Sequence, residues 1–324
     1  MAQRAKIFLL GLGCHKGGST WLHRHLASLP ECNFGVTKEY HTFDTRYLDL
    51  FRHFHEDDLR RLPRLFERRR KRWFWQRGRY DRLIEKLAHK VVFHNDPALY
   101  AAYFDGLWSR DATASVVGDI TPGYAALRAE HFKEIKRLLE AKGFTVKVVF
   151  MMRDPVERCY SAVCGPLKEK VRRGHEIDTV ARLEEEFATP DFECRTRYDI
   201  TVANVESVFA AENILLGLYE ELFGAAGIHN VHRFLGIDRP RQVAAERVNA
   251  SLGKSEVPQP LAARIAAYYQ PTYAFAASRF GEERIRSLWP HYPPQSGRVG
   301  EPSFLAQSQP PAQSKRGLAS VVMA

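Results

Sequence analysis

The sequence predicts an α/β protein built on a central parallel sheet flanked by helices, and three stretches carry that prediction. The apolar run Ile7-Phe8-Leu9-Leu10 breaks into a glycine-bearing turn and then a helix. Val146 to Met152 is apolar at every position but Lys147, the mark of a strand buried on both faces, and it runs into Arg153-Asp154-Pro155 and a second helix. Ser115 to Ile120 reads as a third strand, stopped by Thr121-Pro122-Gly123. Strands alternating with helical segments in this way predict parallel pairing.

The first strand delivers Gly13-Cys14-His15-Lys16-Gly17-Gly18-Ser19-Thr20-Trp21-Leu22. A strand that turns through glycines into a helix gathers free backbone N–H groups at the helix's positive end, which suits an anion. Lys16 adds a charge, Gly17 and Gly18 allow close backbone approach, and Ser19 and Thr20 add hydroxyl donors. The sheet is therefore expected to be P-loop-like. The order is not that of a Walker loop, in which the lysine follows the last glycine, because here Lys16 precedes the glycine pair.

The remaining elements follow in order. Trp21, Leu22, Leu26 and Leu29 have helical spacing, and Pro30 ends that helix. Asn33 to Val36 reads as a short extended piece leading to Thr37-Lys38-Glu39-Tyr40-His41-Thr42-Phe43-Asp44. This is a dense titratable cluster where open α/β sheets place their ligands, or else a polar loop that satisfies its own charges. Residues 51–90 form a basic stretch that includes Arg68-Arg69-Arg70-Lys71-Arg72 followed by Trp73-Phe74-Trp75. It is expected to be a solvated helical insertion, with Leu59, Leu62, Leu65 and Phe66 inward and the tryptophans anchored to the core; glycan contact is its leading functional extra. Val91-Val92-Phe93 reads as a short strand or a helix end, and Leu99–Leu107, Leu127–Ala141, Thr179–Phe187 and Tyr198–Ala210 as helices. Ile214 to Leu222 is expected to be a strand ending in an acidic turn, and Leu261–Ala277 and Ser278–Leu288 to be closing helices. The expected organisation is one domain over 1–292, with an insertion at about 51–90 and a Pro-, Ser- and Gln-rich disordered tail over 293–324.

Composition bounds the partners. The 48 Lys and Arg against 38 Asp and Glu leave a net charge of +10, which suits a nucleotide, an acidic glycan, a nucleic acid or a membrane surface. No nucleic-acid-binding signature accompanies the charge. The five cysteines show neither a C-x-x-C pair nor zinc-type spacing and read as reduced. No run reaches the roughly 20 apolar residues of a bilayer span, and the start is too short for a signal peptide, so a cytoplasmic protein is expected, with peripheral membrane contact left open.

The lysine-first loop G-x-x-K-G-G-S-T-W-L resembles the one that holds the 5′-phosphosulfate in sulfotransferases using 3′-phosphoadenosine 5′-phosphosulfate (PAPS). Lys38-Glu39-x-His41-x-Phe43-Asp44 resembles K-E-P-H-F-F-D of heparan sulfate sulfotransferases, with Tyr40 and Thr42 replacing the proline and the first phenylalanine. Arg153-Asp154-Pro155-x-x-Arg158-x-x-Ser161 resembles the segment that grips the 3′-phosphate of PAPS. Gly118-Asp119-Ile120-Thr121-Pro122-x-Tyr124 is similar to a G-E-K-S/T-P-x-Y segment, with Ile120 where the family has lysine. Weaker similarities lie at Tyr219-Glu220-Glu221-Leu222, Phe234-Leu235-Gly236 and Val248-Asn249-Ala250-Ser251, with Arg247 beside the last.

The resemblance implies a soluble, bacterial-type sulfotransferase of the heparan-sulfate kind. It implies PAPS as donor, adenosine 3′,5′-bisphosphate as product and no metal. Lys16, Gly17, Gly18, Ser19, Thr20, Trp21, Arg153 and Ser161 would bind the donor, and Glu39, Lys16, His41 and Lys38 would be catalytic, with Glu39 as base, His41 its rival and Asp44 orienting the cluster. Arg158 would be a structural ion-pair residue, and Asp119 would either orient the acceptor or cap a turn. The acceptor would be a hydroxyl or amine on a carbohydrate or glycoconjugate. A nucleotide kinase-like phosphotransferase and a non-catalytic nucleotide or sulfated-glycan binding module are the alternatives.

Overall fold

The computed structural model describes residues 4–172, 178–237 and 257–292. Five strands form one all-parallel sheet in the order β2-β3-β1-β4-β5: β1 Ile7–Gly11, β2 Cys32–Asn33, β3 Val116–Ile120, β4 Thr145–Met152 and β5 Ile214–Leu218. The register sets Leu10 of β1 between Asp119 of β3 and Val148 of β4. Successive strand residues point to opposite faces, and both faces are covered. Phe8, Leu10, Val148 and Phe150 pack into the larger core, while Ile7, Leu9, Val149 and Met151 pack into the smaller one with Trp21, Leu22 and Leu235. Central β1 is flanked by β3 and β4, and its C-terminal end opens at the crevice where parallel sheets take their ligands.

Beyond β1 the chain keeps beside β4, with Leu12 N–H donating to the Val149 carbonyl (2.9 Å) and Cys14 N–H to the Met151 carbonyl (2.9 Å). It then turns through Gly18, whose φ of 83° is left-handed, into the helix Ser19–Ala27. After β4, Asp154 caps the helix Pro155–Arg172 by accepting from the Val156 (2.9 Å) and Glu157 (3.1 Å) amides. The same carboxylate accepts from Tyr273 Oη (3.1 Å) and the His291 amide (3.1 Å), tying the C-terminal helices to the end of β4.

Several expectations need correction. The extended piece after Pro30 pairs with the sheet only over Cys32–Asn33. The basic stretch is a pair of contacting 22-residue helices, Asp49–Arg70 and Phe74–Asn95, so Val91–Phe93 is a helix end and no strand. Its small core holds Leu65, Ile84 and Leu87 with Leu62, whereas Leu59 and Phe66 are exposed. The tryptophans do not reach the core: Trp73, Phe74 and Trp75 sit at the turn between the helices, 69%, 75% and 65% exposed. They cluster where the chain reverses, at the far end of two long helices, too distant to pack on the sheet.

The acidic turn after β5 is a helical turn, Tyr219–Leu222. The two closing helices are three, Gln259–Tyr268, Gln270–Phe280 and Glu282–Leu288, broken at Tyr269, where Pro271 starts a new first turn, and at Gly281, with φ of 94°. Arg247, Val248–Ser251 and the tail lie outside the described residues.

Candidate active site

One cavity of about 370 Å³ opens at the C-terminal end of β1. It is lined by Lys16, Gly18, Ser19, Thr20 and Trp21 from the loop and its helix, by Lys38 and Glu39, and by Arg153 and Ser161. The segments that follow β1, β2 and β4 thus meet because these strands belong to one parallel sheet and end on the same side. Gly17 does not line the cavity. It packs behind the loop, where a Cβ would collide with Cys14 Sγ and crowd the Cys14 and Met151 carbonyls, so its role is close packing. Lys16 has a left-handed φ of 71°, and its ammonium lies against the bare backbone of Gly165. Strain of this kind in a non-glycine residue is characteristic of functional loops.

Lys38 links the loop to the titratable cluster. Its Nζ donates to Ser19 Oγ (3.0 Å), Thr20 Oγ1 (3.2 Å) and Glu39 Oε1 (2.5 Å). Its carbonyl accepts from the Ile120 amide (3.2 Å), so Lys38 runs beside the end of β3. Ile120 itself is buried in the core beneath Gly11 and brings no charge to the cavity.

Glu39 Oε2 lies 3.3 Å from His41 Nε2, and His41 Nδ1 lies 2.7 Å from Asp44 Oδ2. His41 also has a left-handed φ, 55°, and stacks on Phe54 at the root of the helical hairpin. Arg153, which also lines the cavity, donates to the Lys16 carbonyl (3.3 Å), pairs with Glu157 (3.2 Å) and lies over the Tyr219 ring (4.7 Å). The arrangement brings Lys16, Lys38 and Arg153 to one cavity with the Ser19, Thr20 and Ser161 side chains and the Glu39 carboxylate. Among the described residues no cluster of three or more metal-ligating side chains occurs.

Residues 7–238 match the family model described as Sulfotransferase family. The chain belongs to the sulfotransferase family. Among solved structures, the sulfotransferase from Alicyclobacillus acidocaldarius superposes with a TM-score of 0.51 at 17% identity, over 85% of this chain and 96% of that one, a likeness of fold. The sulfotransferase domain of a Synechococcus olefin synthase superposes more loosely, with a TM-score of 0.39 at 16% identity over 74% of this chain and 77% of that one. That of the curacin biosynthetic pathway does likewise, with a TM-score of 0.39 at 17% identity over 78% and 82%. No curated protein sequence matches the chain significantly.

In this sulfotransferase the two candidate bases carry opposite charges. Burial opposes ionisation of Glu39, but the hydrogen bond with His41 and the charge of Lys38 outweigh it and hold the carboxyl well below the usual carboxylate range. Burial likewise opposes charge on His41, yet the Asp44 carboxylate and the hydrogen bonds to Asp44 and Glu39 push its pKa up to about 9. At neutral pH the pair is therefore carboxylate and imidazolium, and His41 has no free lone pair with which to take a proton.

The raised pKa of His41 makes stability pH-dependent in a defined direction. The unfolded chain has the ordinary value of 6.5, so the stabilisation is full below that pH and is lost as pH rises through about 9. We expect urea unfolding to show a loss of up to ~3 kcal/mol between these limits, and His41→Gln to flatten that slope. An unchanged slope in the variant would show that another group carries it.

Of two residues singled out by the sequence, Arg158 is placed differently from expectation and Asp119 takes the second of its two expected roles, at the turn after its strand. Arg158 makes no ion pair among the described residues: it is fully buried, its Nη2 donates to Cys159 Sγ (3.3 Å), its guanidinium lies over Phe192, and Nε and Nη1 have no hydrogen-bond partner. Asp119 is wholly buried beneath the cavity and accepts from Thr121 Oγ1 (2.6 Å), Tyr124 Oη (2.8 Å) and Tyr100 Oη (3.1 Å). It organises the core and the turn after β3 rather than facing an acceptor.

His15, Pro122, Gly165, Tyr219 and Phe223 also line the cavity and were not among the binding or catalytic residues expected from the sequence. His15 is held neutral, chiefly by burial and then by Arg195, Arg158 and Lys16, and its Nδ1 has no hydrogen-bond partner among the described residues. Its position next to Lys16 was the available signal. Tyr219 and Phe223 form an aromatic wall, with Phe223 edge-on to Trp21 (5.1 Å), that only the packing of β5 beside β4 brings to the loop.

Proposed function

We propose that the protein transfers the sulfuryl group of PAPS to a hydroxyl or amine of a carbohydrate or glycoconjugate, in the manner of the heparan-sulfate-type enzymes, with Glu39 as base. The observation that carries this reading is the convergence, in one cavity, of Lys16, Ser19 and Thr20 with Arg153 and Ser161 and with Lys38-Glu39. Three cationic side chains from separate segments on one cavity suit a ligand with two separate phosphate-type groups, so the residues present fit this donor. When bound, PAPS supplies an activated sulfuryl group and a phosphate leaving group.

Lys16, Ser19, Thr20 and the N-terminus of the helix Ser19–Ala27 would hold the phosphosulfate end, with Gly18 and Trp21 shaping the cavity around it. Arg153 and Ser161 would hold the 3′-phosphate. The Lys16 ammonium would neutralise charge developing on the leaving oxygen. Lys38, beside Ile120 and bonded to both loop hydroxyls, supplies the cation that Ile120 does not.

Glu39 would accept the acceptor's proton. Its low basicity is compatible with this role, because transfers of this type pass through loose transition states in which the attacking group has little bond formation and little acidity to relieve. His41, charged and anchored on Asp44, positions Glu39.

The test is to supply radiolabelled PAPS or γ-labelled ATP with a panel of glycans. Label should pass to a glycan from PAPS and not from ATP. Transfer from ATP instead would make the protein a phosphotransferase, and tight adenosine 3′,5′-bisphosphate binding with no transfer to any acceptor class, including lipids and proteins, would make it a binding module.

A further inference from the structure

The hairpin of helices Asp49–Arg70 and Phe74–Asn95 ends in a feature that the cavity does not use. Each helix has 22 residues and so is about 33 Å long. The root of the hairpin is tied beside the cavity, where Phe54 stacks on His41, Thr45 Oγ1 bonds His94 Nδ1 (3.0 Å) and Arg46 donates to the His94 carbonyl (2.7 Å). The tip presents Trp73, Phe74 and Trp75, the most exposed large apolar side chains among the described residues, with Phe66 also exposed nearby in the chain. Three adjacent aromatics left in water at a chain reversal contribute nothing to the fold, and their exposure calls for a partner.

The charge around them selects the partner. Residues 64–82 hold nine Lys and Arg against two acids, Glu67 and Asp81. Arg69 pairs with Asp81, but no ion pair takes up Arg64, Arg68, Arg70, Lys71 or Arg72 among the described residues. So basic a tip repels a second copy of itself and attracts an anionic surface. The aromatic geometry then discriminates among anionic partners. Trp73 and Trp75 stack on each other at 5.4 Å and 8° between planes, and Phe74 meets Trp75 edge-on at 5.1 Å. One face of each indole is taken up by the other, so no open slot between the two rings is left to sandwich a nucleobase or a sugar. An exposed cluster of Trp and Phe flanked in the chain by Arg and Lys suits the boundary of an anionic bilayer, where the rings sit at headgroup depth and the cations meet lipid phosphates.

We propose that the hairpin tip docks the protein on an anionic phospholipid bilayer through Trp73, Phe74 and Trp75, with the surrounding arginines and Lys71 supplying the electrostatic attraction. No helix among the described residues is long and apolar enough to cross a membrane, so the contact is peripheral. Because the hairpin root packs against the Glu39–His41 cluster, docking holds the cavity at a set distance from the lipid surface. The proposal is independent of the reaction assigned to the cavity.

The test uses the full chain and vesicles of phosphatidylcholine alone or with about one third phosphatidylglycerol. We expect co-sedimentation with the anionic vesicles to be at least tenfold stronger than with neutral ones and to weaken with salt. Lipids brominated near the headgroup should quench tryptophan fluorescence of the unmodified protein, and should no longer do so in the Trp73→Phe/Trp75→Phe variant, which keeps aromatic bulk. Replacing Trp73, Phe74 and Trp75 with Ala should lower anionic-vesicle binding about tenfold or more while leaving adenosine 3′,5′-bisphosphate affinity unchanged. Equal binding to both vesicle types, absence of quenching, or an alanine variant that binds as well as the parent would overturn the proposal. So would tighter binding of a single-stranded oligonucleotide or heparin that depends on the same three aromatics.

Discussion

Replacing Glu39 with Gln is expected to slow sulfuryl transfer by about 10²–10⁴-fold at saturating donor while leaving adenosine 3′,5′-bisphosphate affinity close to the parent value. The amide keeps the length of the side chain and can still accept from Lys38 Nζ, which bonds Glu39 Oε1 and the two loop hydroxyls, so the loop should hold its shape. What disappears is the cluster's cavity-lining carboxylate, while His41 is held charged up to about pH 9 and Asp44 is buried beneath it. The pH profile discriminates further. The Glu39 carboxyl stays ionised well below the usual carboxylate range, so activity should show no acid limb between about pH 5 and 7, where a free imidazole titrates. An acid limb in that window, together with near-normal turnover in the Glu39→Gln variant, would move the base to an imidazole. His41→Gln should lower turnover less, by loosening Glu39, and leave donor binding alone.

Arg153→Ala should weaken adenosine 3′,5′-bisphosphate by about 2–5 kcal/mol and hardly change the affinity for adenosine 5′-monophosphate. Arg153 is only 7% exposed, so the contact it would make is a charge-assisted bond largely shielded from water. The structure adds a complication: Arg153 also pairs with Glu157, and its removal takes one cationic partner from that carboxylate, which keeps His291 at 3.5 Å. Part of the loss in Arg153→Ala would then be repulsion from Glu157. The Arg153→Ala/Glu157→Gln double variant removes that part, and calorimetry on both variants separates the two. Equal weakening of the two nucleotides in the double variant would show that Arg153 is not the 3′-phosphate contact.

The parallel sheet was legible in the sequence because its strands are buried on both faces, and that condition writes itself as short apolar runs such as Val146–Met152. The loop and the Arg153-Asp154-Pro155 junction were legible because a strand-to-helix turn needs glycine and proline at particular places, independent of what packs around it. The hairpin was misread because amphipathic periodicity reports only that a helix has an inner face. It does not say whether a neighbour is long enough to cover Leu59, Phe66 and the tryptophans.

Charge states and partners lay beyond sequence for a related reason. Arg158 looked like an ion-pair residue, and Asp119 could equally have oriented an acceptor, because both carry charge; what each meets depends on elements from elsewhere in the chain. The local pattern Lys38-Glu39-x-His41-x-x-Asp44 by itself determined that titratable groups would cluster at the end of the sheet. Only the tertiary structure decided that Lys38 reaches across to Ser19 and Thr20, that Asp44 is buried beneath His41, and that the pair is therefore carboxylate and imidazolium, since a pKa is set by burial and by charges a few ångströms away rather than by neighbours in sequence.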